Sequence, residues 1–295
     1  MDKENTRLNV RLKEAVSYIE NHLSSDLSLA TLSRVACLSP YHFHRCFKAR
    51  YGITSSEFIR LVKLRQAANR LAFRVNDSLI DISLDTGYTS QEAFSRAFKQ
   101  YSGQAPGQFR EQPEWKQINQ RHQTAIQIRS KDMEHQTFRD EDVSIVDFPA
   151  VEVGLLIHRG APHKLGNTLR QFINWRRDTG LHPSKSRTFN LLFDDPASTP
   201  PEAYRFGLAA EIFGSVEKND FEVTEAVIPG GRCAVIRHIG SDDTLALPVT
   251  YLYGEWLANN RKTPRDFPLF LERINFFPDV PEAEMITDIY LPLAD

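Results

Sequence analysis

The chain has 295 residues, of which 41% are hydrophobic and 25% charged, and its formal net charge is −2. That length and balance describe two globular domains. No apolar run approaches the ~20 residues of a bilayer span. The polar opening MDKENTRLNVRLKE lacks the apolar stretch of a secretory signal. Cys37, Cys46 and Cys233 stand at no metal-like spacing, which argues against a disulfide framework or a zinc site. The chain therefore reads as cytoplasmic, with no membrane partner.

The small net charge hides an asymmetry. Residues 1–112 carry 16 Lys+Arg against 11 Asp+Glu, a balance of +5. Residues 113–140 carry 5 against 4, and residues 141–295 carry 15 against 23, balances of +1 and −8. A basic first part suits a polyanion and an acidic second part does not.

In chain order, Leu8, Leu12, Ala15, Val16, Ile19 and Leu23 lie on one face of a helix over 7–23. A short helix follows over 29–36. Ser39-Pro40 opens the next, over 40–50: serine caps the free N–H groups, and proline suits the first position. Gly52 ends it. A long helix over 55–73 leads to further helices over 79–86, 90–101 and 106–111. Residues 113–140 are polar and read either as a linker or as a linking helix.

From 141 the texture changes. Strand-like alternation marks 143–148, 151–158, 221–228 and 233–238, with a last strand over 284–293. Pro149, His158 and Gly160 recur at an offset of 80 as Pro229, His238 and Gly240. Each glycine precedes a helical stretch, 165–179 with Trp175 and 245–260 with Trp256. Two copies of a strand–helix–strand–strand unit predict an α+β domain, an antiparallel sheet with helices on one face. The architecture expected is multidomain: an all-α domain over 1–112, a linker over 113–140 and the α+β domain over 141–295.

The helical part is itself duplicated. Leu32, Ala36, Leu38, Phe43, Arg45, Phe47, Lys48, Gly52 and Phe58 recur as Ile82, Thr86, Tyr88, Phe94, Arg96, Phe98, Lys99, Gly103 and Phe109, with one residue inserted at the second turn. This is a tandem helix-turn-helix. A recognition helix packs one face on its domain and offers the other to the major groove, which is ~12 Å wide. In 40–50 the packing face is Phe43, Cys46, Phe47 and Ala49, leaving Tyr41, His44, Arg45 and Lys48 outward. In 90–101 it is Ala93, Phe94, Ala97, Phe98 and Tyr101, leaving Gln91, Glu92, Ser95, Arg96 and Lys99 outward. These are side chains that suit base edges and phosphates.

The stretches SRVACLSPYHFHRCFKARYGITSSEFIR and ISLDTGYTSQEAFSRAFKQYSGQAPGQFR resemble the DNA-binding domain of AraC/XylS-family transcription regulators. The resemblance implies two helices in successive major grooves of double-stranded promoter DNA, held apart by the long linking helix. It carries base contact onto Tyr41, His44, Arg45, Gln91, Glu92, Ser95 and Arg96. It also implies an activator that works with RNA polymerase. Cys37 stands where the family has glycine, and Ser33 and Ser83 where it often has alanine.

The segments IVDFPAVEVGLLIHRG, VIPGGRCAVIRHIG, LPVTYLYGEWL and FLERINFFPDVPEAEMITDIYLPL resemble the GyrI-like family of small-molecule-binding domains. The resemblance implies a carboxylate, Glu272, at the bottom of an aromatic-lined cleft for a lipophilic cationic effector. Trp175, Phe206, Tyr251 and Trp256 are the aromatic candidates. Ile274 stands where the family has an aromatic residue. The alternative places Glu272 in an ordinary surface ion pair with Arg273 or Arg265.

No nucleophile elbow, P-loop or dinucleotide fingerprint is present. The histidines His42, His44, His158, His163 and His238 lack metal spacing, and His158 and His238 read as structural groups at strand ends. No catalytic residue, metal ligand or cofactor is assigned. The expectation is a DNA-binding regulator modulated by a small molecule. Its rival is a ligand sequestrant or hydrolase using Glu272 as acid or base.

Overall fold

The computed structural model describes residues 3–74, 76–133, 138–277 and 279–294. The chain forms two compact units. The first is Met1–His135 with Val280–Glu284, and the second is Gln136–Asp279 with Met285–Asp295.

The first unit is helical: α1 (Lys3–Asn21), α2 (Leu29–Val35), α3 (Pro40–Tyr51), α4 (Ser55–Phe73), α5 (Leu79–Asp85), α6 (Gln91–Ser102), α7 (Pro106–Glu111) and α8 (Trp115–Met133). Side chains start these helices where the sequence provides them. The hydroxyls of Ser28, Ser39, Ser78 and Ser90 each accept a first-turn backbone N–H. Thr54 and Glu57 cap α4 reciprocally. Gly52 and Gly103, at φ 80° and 84°, end α3 and α6 in the left-handed conformation. Ser33 and Ser83 are buried, and their hydroxyls donate to the Ala30 and Ile80 carbonyls.

Two hydrophobic cores stand along α4. Phe58 and Val62 join α1, α2 and α3 in one. Leu64, Ala67, Ala68, Leu71 and Ala72 join α5, α6 and α7 in the other. Helix α8 resolves the choice left open for 113–140. It runs antiparallel to α4, with Trp115 and Ile118 in the second core and Ala125 and Ile128 in the first. Tyr51 donates to both oxygens of the buried Asp132 at 2.7 and 3.0 Å, and Arg50 pairs with the same carboxylate at 3.2 Å. These bonds fasten the end of α8 to the end of α3.

The second unit holds β1 (Val143–Phe148), β2 (Val151–Arg159), α9 (Leu165–Asp178), β3 (Thr188–Leu192), β4 (Arg205–Glu211), β5 (Thr224–Ile228), β6 (Gly231–Ile239), α10 (Ala246–Tyr251), β7 (Leu269–Arg273) and β8 (Ile286–Pro292). Helix α10 continues through a π-helical turn, Leu252–Trp256, into Leu257–Asn259. All strands pair antiparallel in one sheet of order β1-β6-β8-β7-β3-β4-β2-β5. The repeats meet at β3–β7 and exchange their first strands: β1 pairs with β6, and β5 with β2.

This exchange curls the sheet. Only Pro149 and Ala150 separate β1 from β2, and only Pro229 and Gly230 separate β5 from β6, although each pair lies far apart in the sheet order. The two links pass so closely that a Cβ on Gly230 would stand 2.8 Å from the Ala150 nitrogen. The outer face carries the helices. Phe172 and Trp175 of α9 pack on Leu156, Leu208 and Ala210, and α10 and its continuation pack on Ala234, Ile236, Leu271 and Ile289. The inner face is a separate cluster of strand residues, Phe148, Phe189, Phe270 and Tyr290 among them.

Candidate nucleic-acid interface and ligand site

Helices α3 and α6 each bury one aromatic ridge: Phe43, Phe47 and Tyr51 in α3, and Phe94, Phe98 and Tyr101 in α6. The 3.6-residue period turns the opposite side outward. Tyr41, His44, Arg45 and Lys48 are exposed on α3, as are Gln91, Glu92, Arg96 and Lys99 on α6, and Ser95 is half-buried. The Arg45 guanidinium lies over the Tyr41 ring, 4.8 Å from its centre. Glu92 is held below the usual carboxylate range by its own backbone N–H, then by Ser90 and Arg96. One residue departs from the expected packing face: Ala49 is exposed, midway between the buried Phe47 and Tyr51 and next to Lys48.

Behind each outward face, the helix is seated in one of the two cores on α4. Helix α4 has 19 residues, and at 1.5 Å per residue it spans about 28 Å. The arrangement gives one unit two exposed polar helices, each carrying an arginine and a lysine, with their aromatic sides seated in separate cores.

In the second unit, the residues expected around Glu272 do not surround it. Trp175 and Phe206 belong to the α9 cluster on the outer face, and Trp175 fills the space above Gly154, where a Cβ would meet its ring at 2.4 Å. Tyr251 and Trp256 belong to the α10 cluster, also outer. Glu272 faces the other way. Successive strand residues alternate sides, so Glu272 shares the inner face with Phe270, while Leu269 and Leu271 point to the helices. Helical aromatics at core spacing pack on the sheet that carries them.

Glu272 is ion-paired, but it is buried rather than at the surface, and the partner is neither Arg273 nor Arg265. Arg187 donates from Nε and Nη2 to the two Glu272 oxygens at 2.7 and 2.8 Å, and the Tyr290 hydroxyl adds a third bond at 3.1 Å. Arg273 sits on the outer face, bonded to Asn190, Asp242 and Thr287. Arg265 donates to the Gly230 and Pro229 carbonyls. Ile274 is exposed beyond the end of β7.

The aromatic residues near Glu272 are different ones. The Arg187 guanidinium stands 4.9 Å from the Phe189 ring centre and 5.3 Å from that of Phe148. Phe270 and Tyr290 stack at 4.9 Å with their planes 3° apart. Bonding to Glu272 raises the Arg187 pKa, and burial, then the Glu272 charge, pushes the Tyr290 hydroxyl up. Next in the row, Asp288 stands opposite Glu272 and takes two 2.7 Å bonds from Arg237. The sequence contains a signal for Arg187: it lies two residues before Phe189, on the same face of the chain. Without the β3–β7 register nothing links it to Glu272.

His158 and His238 are buried at equivalent strand ends. His158 bonds Thr168 and the Ala161 carbonyl, and His238 bonds Thr244 and the Ser241 carbonyl. Among the described residues no group of three His, Cys, Asp or Glu could hold a metal ion, and no helix is long and apolar enough to cross a membrane.

Residues 141–294 match the family described as GyrI-like small molecule binding domain, and residues 32–112 match the family described as Helix-turn-helix domain. The probable transcriptional regulator YgiV of Escherichia coli (strain K12) is 38% identical over 154 residues, 52% of this chain and 96% of that protein. The HTH-type transcriptional regulator YbfP of Bacillus subtilis (strain 168) is 35% identical over 99 residues, 34% of this chain and 33% of that protein. Among solved structures, the EcmrR C-terminal domain aligns at 16% identity and a TM-score of 0.42, covering 52% of this chain and 97% of that one. The C-terminal domain of AraT, a response regulator from Geobacillus stearothermophilus, aligns at 30% identity and a TM-score of 0.33, covering 36% and 87%. The chain belongs to the GyrI-like family, and with its AraC-type helix-turn-helix domain it is a transcription regulator built from a DNA-binding and a small-molecule-binding domain.

Proposed function

We propose that the protein is a promoter-binding activator that reads two successive major grooves of one duplex with α3 and α6. The observation that carries this reading is the pair of outward faces, Arg45 with Lys48 and Arg96 with Lys99, on helices seated in separate cores along one 19-residue helix. Successive grooves lie ~34 Å apart, and about 28 Å of α4 with its flanking turns suits that span. Tyr41, His44, Arg45, Gln91, Glu92, Ser95 and Arg96 read base edges, and Lys48 and Lys99 neutralise phosphates. The second unit receives a small molecule on the inner face of its sheet, and the bound state changes how the regulator acts with RNA polymerase.

A hydrolase using Glu272 has less support, because both oxygens of that carboxylate are already engaged by Arg187 and Tyr290. The function is tested by selecting duplexes from random DNA with the full chain and titrating the winner at several salt concentrations. Arg45→Ala and Arg96→Ala should each weaken the selected site by about 1–3 kcal/mol and relax one base pair. Lys48→Ala should weaken all duplexes alike and lower the salt slope by about one. Arginine variants that bind the selected duplex like wild type refute the reading.

A further inference from the structure

Residues Val280–Glu284 come from the connection between β7 and β8, yet they belong to the helical unit. Charge holds them there. The Glu282 carboxylate pairs with Arg129 Nη2 of α8 at 2.8 Å, while Arg129 Nε donates to Glu20 of α1 at 2.7 Å and Nη1 lies 3.5 Å from His122. The Arg129 side chain is only 5% exposed, and a guanidinium so enclosed depends on carboxylates such as these. Glu282–Glu284 form a single 3-10 turn that lies against α1, closed by the Glu284 N–H on the Pro281 carbonyl at 2.9 Å. The connection has little slack on its β8 side. Met285 follows Glu284 directly, and its carbonyl accepts the Gly240 N–H at 2.9 Å. Ile286 then opens β8, with its N–H on the Asn275 side chain at 2.7 Å and its carbonyl accepting the Ile274 N–H at 3.0 Å.

We propose that Val280–Glu284 is the element that couples DNA occupancy of α3 and α6 to strands β7 and β8, with Glu282 as its anchor. The inference rests on the reading of α3 and α6 as DNA-reading helices. Arg129 ties α8 to α1, and both helices line the core that seats α3: Leu12, Val16 and Ile19 of α1 and Ala125 and Ile128 of α8 pack with Phe43 and Phe47. A duplex that fixes α3 steadies the surface on which Glu282 is held. The steadied turn joins β8 without spare chain, and β8 is paired on one side with β6 and on the other with β7. The effect therefore reaches the strands that carry Glu272, Asp288 and Tyr290. Coupling between sites is reciprocal, so a change at these strands returns by the same element to the reading helices.

The test follows hydrogen exchange of the full chain by mass spectrometry, with and without a saturating amount of the selected duplex. In wild type the duplex should slow exchange in α3 and α6, and also at the end of β7 and the start of β8, there by roughly fivefold or more, the low end of ordinary coupling between sites. Glu282→Gln should keep the slowing in α3 and α6 and lose it in β7 and β8. Glu20→Gln, which breaks the other Arg129 pair and leaves the connection alone, should keep both. Near-ultraviolet circular dichroism reports whether each variant is folded. If Glu282→Gln is not, a Gly-Gly insertion between Glu284 and Met285 carries the same expectation, because it slackens the connection and leaves the Arg129–Glu282 pair in place. Three results overturn the proposal while leaving the DNA-reading assignment standing: no slowing in β7 and β8 of wild type whose α3 and α6 are slowed, an undiminished response in folded Glu282→Gln, or an equal loss of response in Glu20→Gln. If the duplex slows neither α3 nor α6 in wild type, the DNA-reading assignment and the proposal fall together.

Discussion

Replacing Tyr51 with phenylalanine removes one oxygen from the first unit and should loosen two helices. The Tyr51 hydroxyl donates to both oxygens of Asp132 at 2.7 and 3.0 Å, and Arg50, at 3.2 Å, also pairs with that carboxylate. Burial, then the Asp132 charge, pushes the Tyr51 hydroxyl up, so it stays protonated and donates throughout the neutral range. The ring packs on Phe47 at 4.7 Å, and phenylalanine keeps that contact. What is lost is a buried hydrogen bond to a charged acceptor, worth about 1.5–3 kcal/mol. A loss of about 2 kcal/mol is a factor of roughly 30 in a local opening equilibrium. Hydrogen exchange followed by mass spectrometry on the full chain should therefore show roughly 30-fold faster exchange in peptides covering the ends of α3 and α8, with α5 and α6 unchanged. Tyr101 is the internal control. Its hydroxyl is buried with no partner among the described residues, so Tyr101→Phe should leave exchange unchanged or slow it. Acceleration of less than about threefold in Tyr51→Phe, or acceleration spread evenly over both cores, would refute the claim that this bond fastens α8 to α3.

Three further outcomes follow from single residues. Cys37 occupies the first helix-turn-helix turn at φ 49°, where the second copy has Gly87 at φ 83°; Cys37→Gly should raise the stability of the first unit by about 1 kcal/mol in chemical denaturation, since the left-handed conformation is unfavourable for a side chain. Arg176 is buried without a carboxylate, its pKa pushed down to about 10 by burial, and it donates to the Leu181 and Ser186 carbonyls and to Thr188; Arg176→Met should destabilise the second unit by about 3 kcal/mol by leaving those acceptors unpaired, read from its urea midpoint. Burial lowers the His238 pKa, opposed by its bond to the Ser241 carbonyl and by Asp242. The unfolded chain then binds the proton at higher pH, so this stabilisation is present above about 6.5 and is lost as pH falls through the window below it. Melting at pH 7.5 and 5.5 should show a larger acid loss for wild type than for His238→Gln.

The helix boundaries of the first unit were legible because local chemistry specifies them. Ser39-Pro40, Thr54 with Glu57, Gly52 and Gly103 each act within one turn, and the structure uses all of them. Helix α8 was not, because its apolar positions, Trp115, Ile118, Ala125 and Ile128, are interrupted by His122, Arg129 and Asp132, polar residues that are buried all the same. Strands β3 and β7 were not assigned individually, since segments such as TFNLL and LFLER lie between neighbours and bury both faces, which erases the alternation. Of the inner-face ion pair, only Glu272 was legible. Its partners Arg187 and Tyr290 come from other strands, and only the pairing of β3, β7 and β8 brings them together.

Chemical footprinting of the full chain on its selected duplex tests the central claim most directly. Guanine N7 methylation reports the major groove, and hydroxyl radicals report the backbone. Two protected major-groove segments one helical turn apart, ~34 Å on one side of the duplex, with the first lost in Arg45→Ala and the second in Arg96→Ala, is the result that agrees with α3 and α6 as paired reading heads. Protection of a single groove, or of two grooves on opposite sides, would contradict it.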